Sequence, residues 1–159
     1  MDRRHFITAV LGAGAAITLA RASGAIAAAG SFEVTRTDAE WREMLTDLQY
    51  KVMRQEGTER AGSSPLDKVY DPGEYHCRGC DQRLYSSEHK YDSGTGWPSF
   101  YQAVPRAIGT KEDRKLFSVR TECHCSRCGS HLGHIFDDGP APTGKRHCIN
   151  GVSLVFKPA

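Results

Sequence analysis

Two Cys-x-x-Cys knuckles, Cys77-Arg78-Gly79-Cys80 and Cys125-Ser126-Arg127-Cys128, constrain this chain more than any other feature. Each can turn two thiolates toward one ion, and two together complete a tetrahedral four-sulfur set. If they serve one site, the fold must bring residues 77–80 against residues 125–128 across a long intervening stretch. Gly79 and Gly129 offer the backbone freedom that such tight turns use. Four protein ligands leave no open position, so the expected ion, one Zn2+ per chain, is structural and not catalytic. The competing readings are a pair of local disulfides or a single redox-active Cys-x-x-Cys; paired knuckles favour the metal.

Two of the six cysteines remain, Cys123 and Cys148. Residues 147–156 alternate loosely and end apolar at Val152, Leu154 and Phe156, so they read as one strand. At strand period Arg146, Cys148 and Asn150 project to the same face. A cation beside the sulfur favours thiolate, which is the nucleophile. The bland reading of Cys148 is a small buried core residue. Its company outweighs that. Residues 129–140 carry His131 and His134 and then Asp138, and residues 90–100 form a Gly-broken loop that ends in Trp97 and Phe100. A closed four-sulfur site leaves the histidines without a metal, so they read as proton carriers near neutral pH.

Residues 1–29 stand apart from the fold. Arg3-Arg4 precedes an apolar, Gly/Ala-rich run, and small residues around Ala25 to Ala29 offer cleavage choices: a twin-arginine-type signal peptide. The apolar run is shorter than the roughly 20 residues needed to span a bilayer. Arg3, Arg4, Arg21 and Asp2 lie in this segment, so the chain's 21 basic and 19 acidic residues leave 18 of each in the mature part. The exported domain, 30–159, is therefore formally neutral and has no basic stripe for nucleic acid. A periplasmic location is expected, with no stable membrane insertion once the signal is removed.

Within that single domain, residues 37–54 read as one helix, with Trp41, Met44, Leu45, Leu48, Val52 and Met53 at helical spacing. Thr37 and Glu40 make a capping box, and Gly57 ends the helix. Residues 57–74 read as a long ordered loop. Strands are expected at 75–77, 83–85, 107–109, 116–121, 131–136 and 147–156. A helix followed by many short strands, without βαβ alternation, means a mainly β domain: an antiparallel sandwich or barrel-like core with an N-terminal helix and a structural zinc site.

Residues 90–100 (KYDSGTGWPSF), 129–140 (GSHLGHIFDDGP) and 146–150 (RHCIN), together with both knuckles, resemble the B-type methionine sulfoxide reductases in order and spacing. The likeness runs from Trp41 to Phe156. It implies reduction of the R epimer of methionine sulfoxide, free or within oxidised proteins, by an enzyme recycled by a thioredoxin-like reductant; the sequence does not mark an oligomeric state, and a monomer is assumed. It places the attacking thiol on Cys148, with Arg146 and Asn150 at the flanking positions. The family's histidine pair falls on His131 and His134, its acidic partner on Asp138, and its methyl pocket on Trp97 with Phe136 nearby. The chemistry is coherent, because oxide leaves sulfur poorly until an acid protonates it, so thiolate and imidazole must meet. An aromatic wall suits the S-methyl group, and attack leaves a sulfenic acid on Cys148.

Two departures stand out. Two-cysteine members often carry a resolving cysteine in the loop before the tryptophan, where this chain has Thr95. Cys123 stands where many relatives are aliphatic, so either Cys123 resolves the sulfenic acid or an external thiol does. Gly151 replaces a common serine, which bears on positioning around Asn150. The rival classes are a zinc-ribbon binding module without catalysis and a thiol–disulfide oxidoreductase working through a Cys-x-x-Cys.

Overall fold

The protein is described by a computed structural model over residues 32–115 and 118–159. The expected signal segment 1–29 and the Leu116–Phe117 pair lie outside the described residues. No helix among the described residues is long and apolar enough to cross a membrane.

Where the apolar spacing predicts one helix there are two. Helix α1 (Asp38–Met44) opens on Thr37, whose hydroxyl accepts from the Glu40 amide while the Glu40 carboxylate reaches back to the cap. Leu45 is extended (φ −112°, ψ 141°), and Thr46 with Gln49 builds a second capping box that starts α2 (Asp47–Gln55). A threonine that caps the backbone ahead of it competes with helix continuation, and here it wins. Trp41, Leu45, Val52 and Met53 are buried as their spacing requires, but Met44 and Leu48 are 43% and 47% exposed. Helix α2 ends on Glu56 in the left-handed region (φ 54°), with Gly57 donating to the Lys51 carbonyl just beyond.

Among the described residues nine strands follow: β1 (Gly73–Cys77), β2 (Arg83–Ser86), β3 (Lys90–Tyr91), β4 (Ser99–Phe100), β5 (Ile108–Asp113), β6 (Arg120–Cys125), β7 (His131–Phe136), β8 (Arg146–Ile149) and β9 (Leu154–Pro158). They form a three-stranded sheet, β2-β1-β9, and a six-stranded sheet, β3-β4-β8-β7-β6-β5, with every pairing antiparallel. The mainly β, antiparallel expectation holds. The run 147–156 is broken, however. One 3₁₀ turn (Gly151–Ser153) separates β8 from β9, and the two strands belong to different sheets. The region 116–121 is not one strand either: Ser118 and Val119 are outside any strand and β6 begins at Arg120.

The sheets face each other through aromatics. Tyr75 of β1 meets Phe100 of β4 edge-on at 4.9 Å, and Tyr85 of β2 stacks on the same ring at 4.3 Å. Such pairs contribute about 0.5–1.5 kcal/mol each beyond burial. Leu84, Leu132, Ile149 and Leu154 complete the contact with no exposed surface.

Candidate active site

Strand register brings the site together. In an antiparallel sheet, directly opposed residues point to the same side. One such row crosses the large sheet as Tyr91, Ser99, Cys148, His134, Glu122 and Lys111, one residue from each of six strands. Two residues along, on the same side, lie Arg146 opposite Phe136 and Arg120 opposite Asp113. His147 and Ile149, on either side of Cys148 along β8, point the other way into the core at 7% and 0% exposure.

His131 joins this face because of an irregularity. Residues three apart on a regular strand point to opposite sides. Here Cys123 pairs with Gly133 but His124 pairs with His131, so β7 carries one extra residue, a β-bulge. The bulge returns His131 to the side of His134, with ring centroids 5.5 Å apart. Gly133 beside it is obligatory, since a Cβ there would lie 2.0 Å from the Cys148 carbonyl oxygen.

A cavity of about 130 Å³ opens on this face, lined by Thr58, Trp97, Arg120, Gly133, His134, Phe136, Cys148 and Asn150. Trp97 is held by its indole N–H, which donates to the Glu59 carbonyl at 3.2 Å. Asn150 lies beyond the end of β8 and reaches the cavity through the 3₁₀ turn, not through strand period. Its side-chain oxygen accepts from the Glu59 amide at 2.9 Å and its NH2 donates to the Leu132 carbonyl at 3.0 Å. The buried Glu59 carboxylate accepts in turn from the Gly151 and Val152 amides. Glu59 thus ties two cavity walls to one loop. Its single acid among undistinguished neighbours gave the sequence reading no signal.

Arg146 is not a free cation. Its Nε and Nη2 donate to Asp138 at 2.9 and 2.8 Å, and its guanidinium lies 4.4 Å from the Phe136 ring centroid. Asp138 is therefore the partner of Arg146, whereas the histidines find carboxylates the sequence did not single out. His131 Nδ1 is 2.8 Å from Glu122 Oε1, and His134 Nε2 is 2.8 Å from Asp113 Oδ2. Both acids come from other strands, where only register could reveal them.

Burial pushes the Cys148 thiol above its ordinary value; Thr95, 4.0 Å away at Oγ1, and the Arg146 charge pull the other way without prevailing. Arg146 acts in the expected direction, but desolvation is the larger effect. The resting sulfur is a shielded thiol that needs a base beside it.

Cys123 sits on the opposite face, paired with Gly133, which pairs with Ile149. It is fully buried, and burial raises its thiol to about 12. Strands β6 and β8 are two intervals apart, about 9.6 Å at the usual spacing, beyond the roughly 7 Å that a disulfide bridges between Cα atoms. As the strands stand, Cys123 and Cys148 are too far apart to be bonded to one another.

The knuckles converge as predicted. Cys77, Cys80, Cys125 and Cys128 hold their sulfurs within 4.8 Å of one another, with Cys77–Cys128 at 3.6 Å and Cys80–Cys125 at 3.5 Å. Bonds of about 2.3 Å in a tetrahedron need sulfurs about 3.8 Å apart, and a disulfide needs about 2.05 Å. The donor set fits one tetrahedral ion and no disulfide. Each knuckle closes alike, with the amide of the next residue donating to the first cysteine's carbonyl: Asp81 to Cys77 at 2.8 Å, Gly129 to Cys125 at 2.9 Å. Asp81 (φ 61°) and Gly129 (φ 69°) are the left-handed residues. Gly79 serves proximity instead, since a Cβ there would meet Ser130 Oγ at 2.9 Å. An ion held by all four sulfurs would leave neither knuckle as a redox pair.

The family model described as SelR domain matches residues 45–158, a span that contains the whole cavity and both knuckles. The chain belongs to the SelR-domain family. A protein of Methanosarcina barkeri named "Peptide methionine sulfoxide reductase MsrB" is 54% identical over 125 residues, 78% of this chain and 88% of its own length. Proteins of the same name from Agrobacterium fabrum and Thiobacillus denitrificans are 48% and 50% identical over 127 and 129 residues, covering 94% and 98% of their lengths and 79% and 80% of this chain.

Proposed function

We propose that this SelR-domain protein reduces the R epimer of methionine sulfoxide, free or in oxidised proteins, with Cys148 as nucleophile. The observation that carries the reading is the direct opposition of Cys148 and His134 across β8 and β7, in a cavity walled by Trp97 and Phe136. The substrate's sulfur and methyl group sit against the aromatic wall, a contact favourable by about 0.3–1.5 kcal/mol. Cys148 gives up its proton and attacks sulfur, while an imidazole delivers a proton to the sulfoxide oxygen. In balance, thiol plus sulfoxide becomes sulfenic acid plus thioether, with the Cys148 sulfur oxidised by two electrons. Asn150 and the Arg146–Asp138 pair shape the floor and rim around the sulfur.

Regeneration falls to an external thiol of the thioredoxin type. Thr95, not a cysteine, lies 4.0 Å from the reactive sulfur, and Cys123 lies on the other face of the sheet. A thiol attacks the sulfenic acid, water leaves, and a second thiol releases Cys148. The four-sulfur site holds structural Zn2+ that joins the end of β1 to the β6–β7 hairpin. Arg3-Arg4 and the apolar run after it support export of the already metallated, folded monomer to the periplasm.

A stereochemically resolved assay tests this with dithiothreitol as reductant. Consumption of the R sulfoxide alone, abolished in Cys148→Ser, is the expected result; equal use of both epimers, or activity surviving the substitution, defeats it. Metal analysis of the periplasmic protein should find one zinc per chain, and four blocked thiols without metal would overturn that part.

A further inference from the structure

The two histidines share a face, but they are held by opposite ring nitrogens. His134 gives Nε2 to Asp113 on β5, and His131 gives Nδ1 to Glu122 on β6. His134 lines the cavity with Cys148, so with Nε2 taken, Nδ1 is the nitrogen left for a bound substrate. His131 does not line the cavity, is 2% exposed, and has a buried Nε2 with no partner. We infer that Asp113 is a positioning residue that fixes His134 by its Nε2, making Nδ1 the atom that carries the Cys148 proton to the sulfoxide oxygen. The inference deepens the reductase reading above and rests on it.

Asp113 is built for holding. It is 8% exposed, and it accepts from Arg120 Nη2 at 2.6 Å and from the Lys115 amide at 2.9 Å. The Lys115 amide, His134 and Arg120 keep its carboxyl well below the usual carboxylate range, so it is an anion whenever the enzyme works. An anion on Nε2 requires a proton there in neutral His134. The second proton, taken up from the thiol, must then reside on Nδ1 and leave from it. The step balances: the Cys148 proton moves to Nδ1, then to the oxygen, which ends as the hydroxyl of the sulfenic acid.

The surroundings of His134 make the inference testable by sign. Burial lowers its pKa, Asp113 opposes burial, and the Arg120 and His131 charges work with it. Glu122 on β6 and Cys148 on β8 face it directly. Helix α2 also packs on β7, but its Arg54 is engaged with Ser130 and its C-cap Glu56 with Lys111 and Lys115. Because neutral His134 must first take the Cys148 proton, the rate rises as pH climbs through its midpoint. Losing Asp113 lowers that midpoint, so this limb should move to lower pH.

Two readouts on the metal-loaded protein decide it. Nitrogen-15 NMR of the imidazoles should place the neutral His134 proton on Nε2. Asp113→Asn should lower the His134 midpoint, and Arg120→Gln should raise it. Single-turnover methionine formation from the R sulfoxide, without reductant, should fall about 10- to 100-fold at pH 7 in Asp113→Asn, with the acid limb displaced to lower pH. A uniform loss with an unmoved limb and an unmoved midpoint means Asp113 is only structural and overturns the inference. If Asp113→Asn fails to fold, an unmoved His134 midpoint in Arg120→Gln, or a proton found on Nδ1 in the unmodified protein, does the same. Wild-type protein that forms no methionine defeats the reductase reading instead, a result that the NMR arm keeps distinct.

Discussion

Cys148 and Cys123 lie two strands apart in one sheet and on opposite faces of it. Cys148 shares its side with His134, Glu122, Arg146 and Arg120, and it lines a cavity. Cys123 shares its side with Gly133 and Ile149, has no exposed surface, and has its thiol pushed up to about 12. The same amino acid is thus a reagent on one face and a small core residue on the other. Reactivity here comes from which way the pleat points, because that sets both solvation and company.

The largest test of this contrast is Cys148→Ser. It should reduce single-turnover methionine formation by more than about 10³-fold, since a hydroxyl in the same cavity is a far weaker nucleophile. Residual activity near wild type would erase the distinction between the faces. The next concerns His147, the inner-face neighbour of the reactive cysteine, which burial pushes down to about 4. The unfolded chain protonates this ring near 6.5, so stability is intact above that pH and is lost as pH falls toward 4. The loss is on the order of 3 kcal/mol. Urea unfolding at pH 7 and pH 4.5 should show that fall, and His147→Gln should flatten it.

A smaller effect is expected on the cavity side. Trp97→Ala should raise KM for the sulfoxide about 2- to 10-fold, matching a sulfur–aromatic contact of about 0.3–1.5 kcal/mol; an unchanged KM would take Trp97 out of the methyl pocket. The smallest belongs to Cys123→Ala, whose turnover should stay within about twofold of wild type. Stability there should drop by about 1 kcal/mol for a small core truncation. A Cys123–Cys148 disulfide seen by mass spectrometry after one equivalent of sulfoxide would break the comparison outright.

Legibility followed locality. The knuckles, the Thr37 capping box, the cysteine flanked by arginine and asparagine, and the histidine pair are all written within a few residues of each other. Thr46 was legible too, since Thr46-x-x-Gln49 is a second capping box, but the apolar spacing across it argued for one helix. The break of 147–156 was harder. Asn150 and Gly151 leave the strand because β8 and β9 must reach different sheets, a demand that no window of sequence contains.

By itself, then, the sequence determined which residues could do chemistry and favoured a meeting of residues 77–80 with 125–128, because thiolate geometry and motif spacing are local and few arrangements satisfy them. Only the tertiary structure decided which carboxylate holds which histidine, which cysteine faces the cavity, and how one extra residue in β7 puts both imidazoles on one side. Those outcomes depend on strand register, where a shift of one residue turns every side chain to the other face.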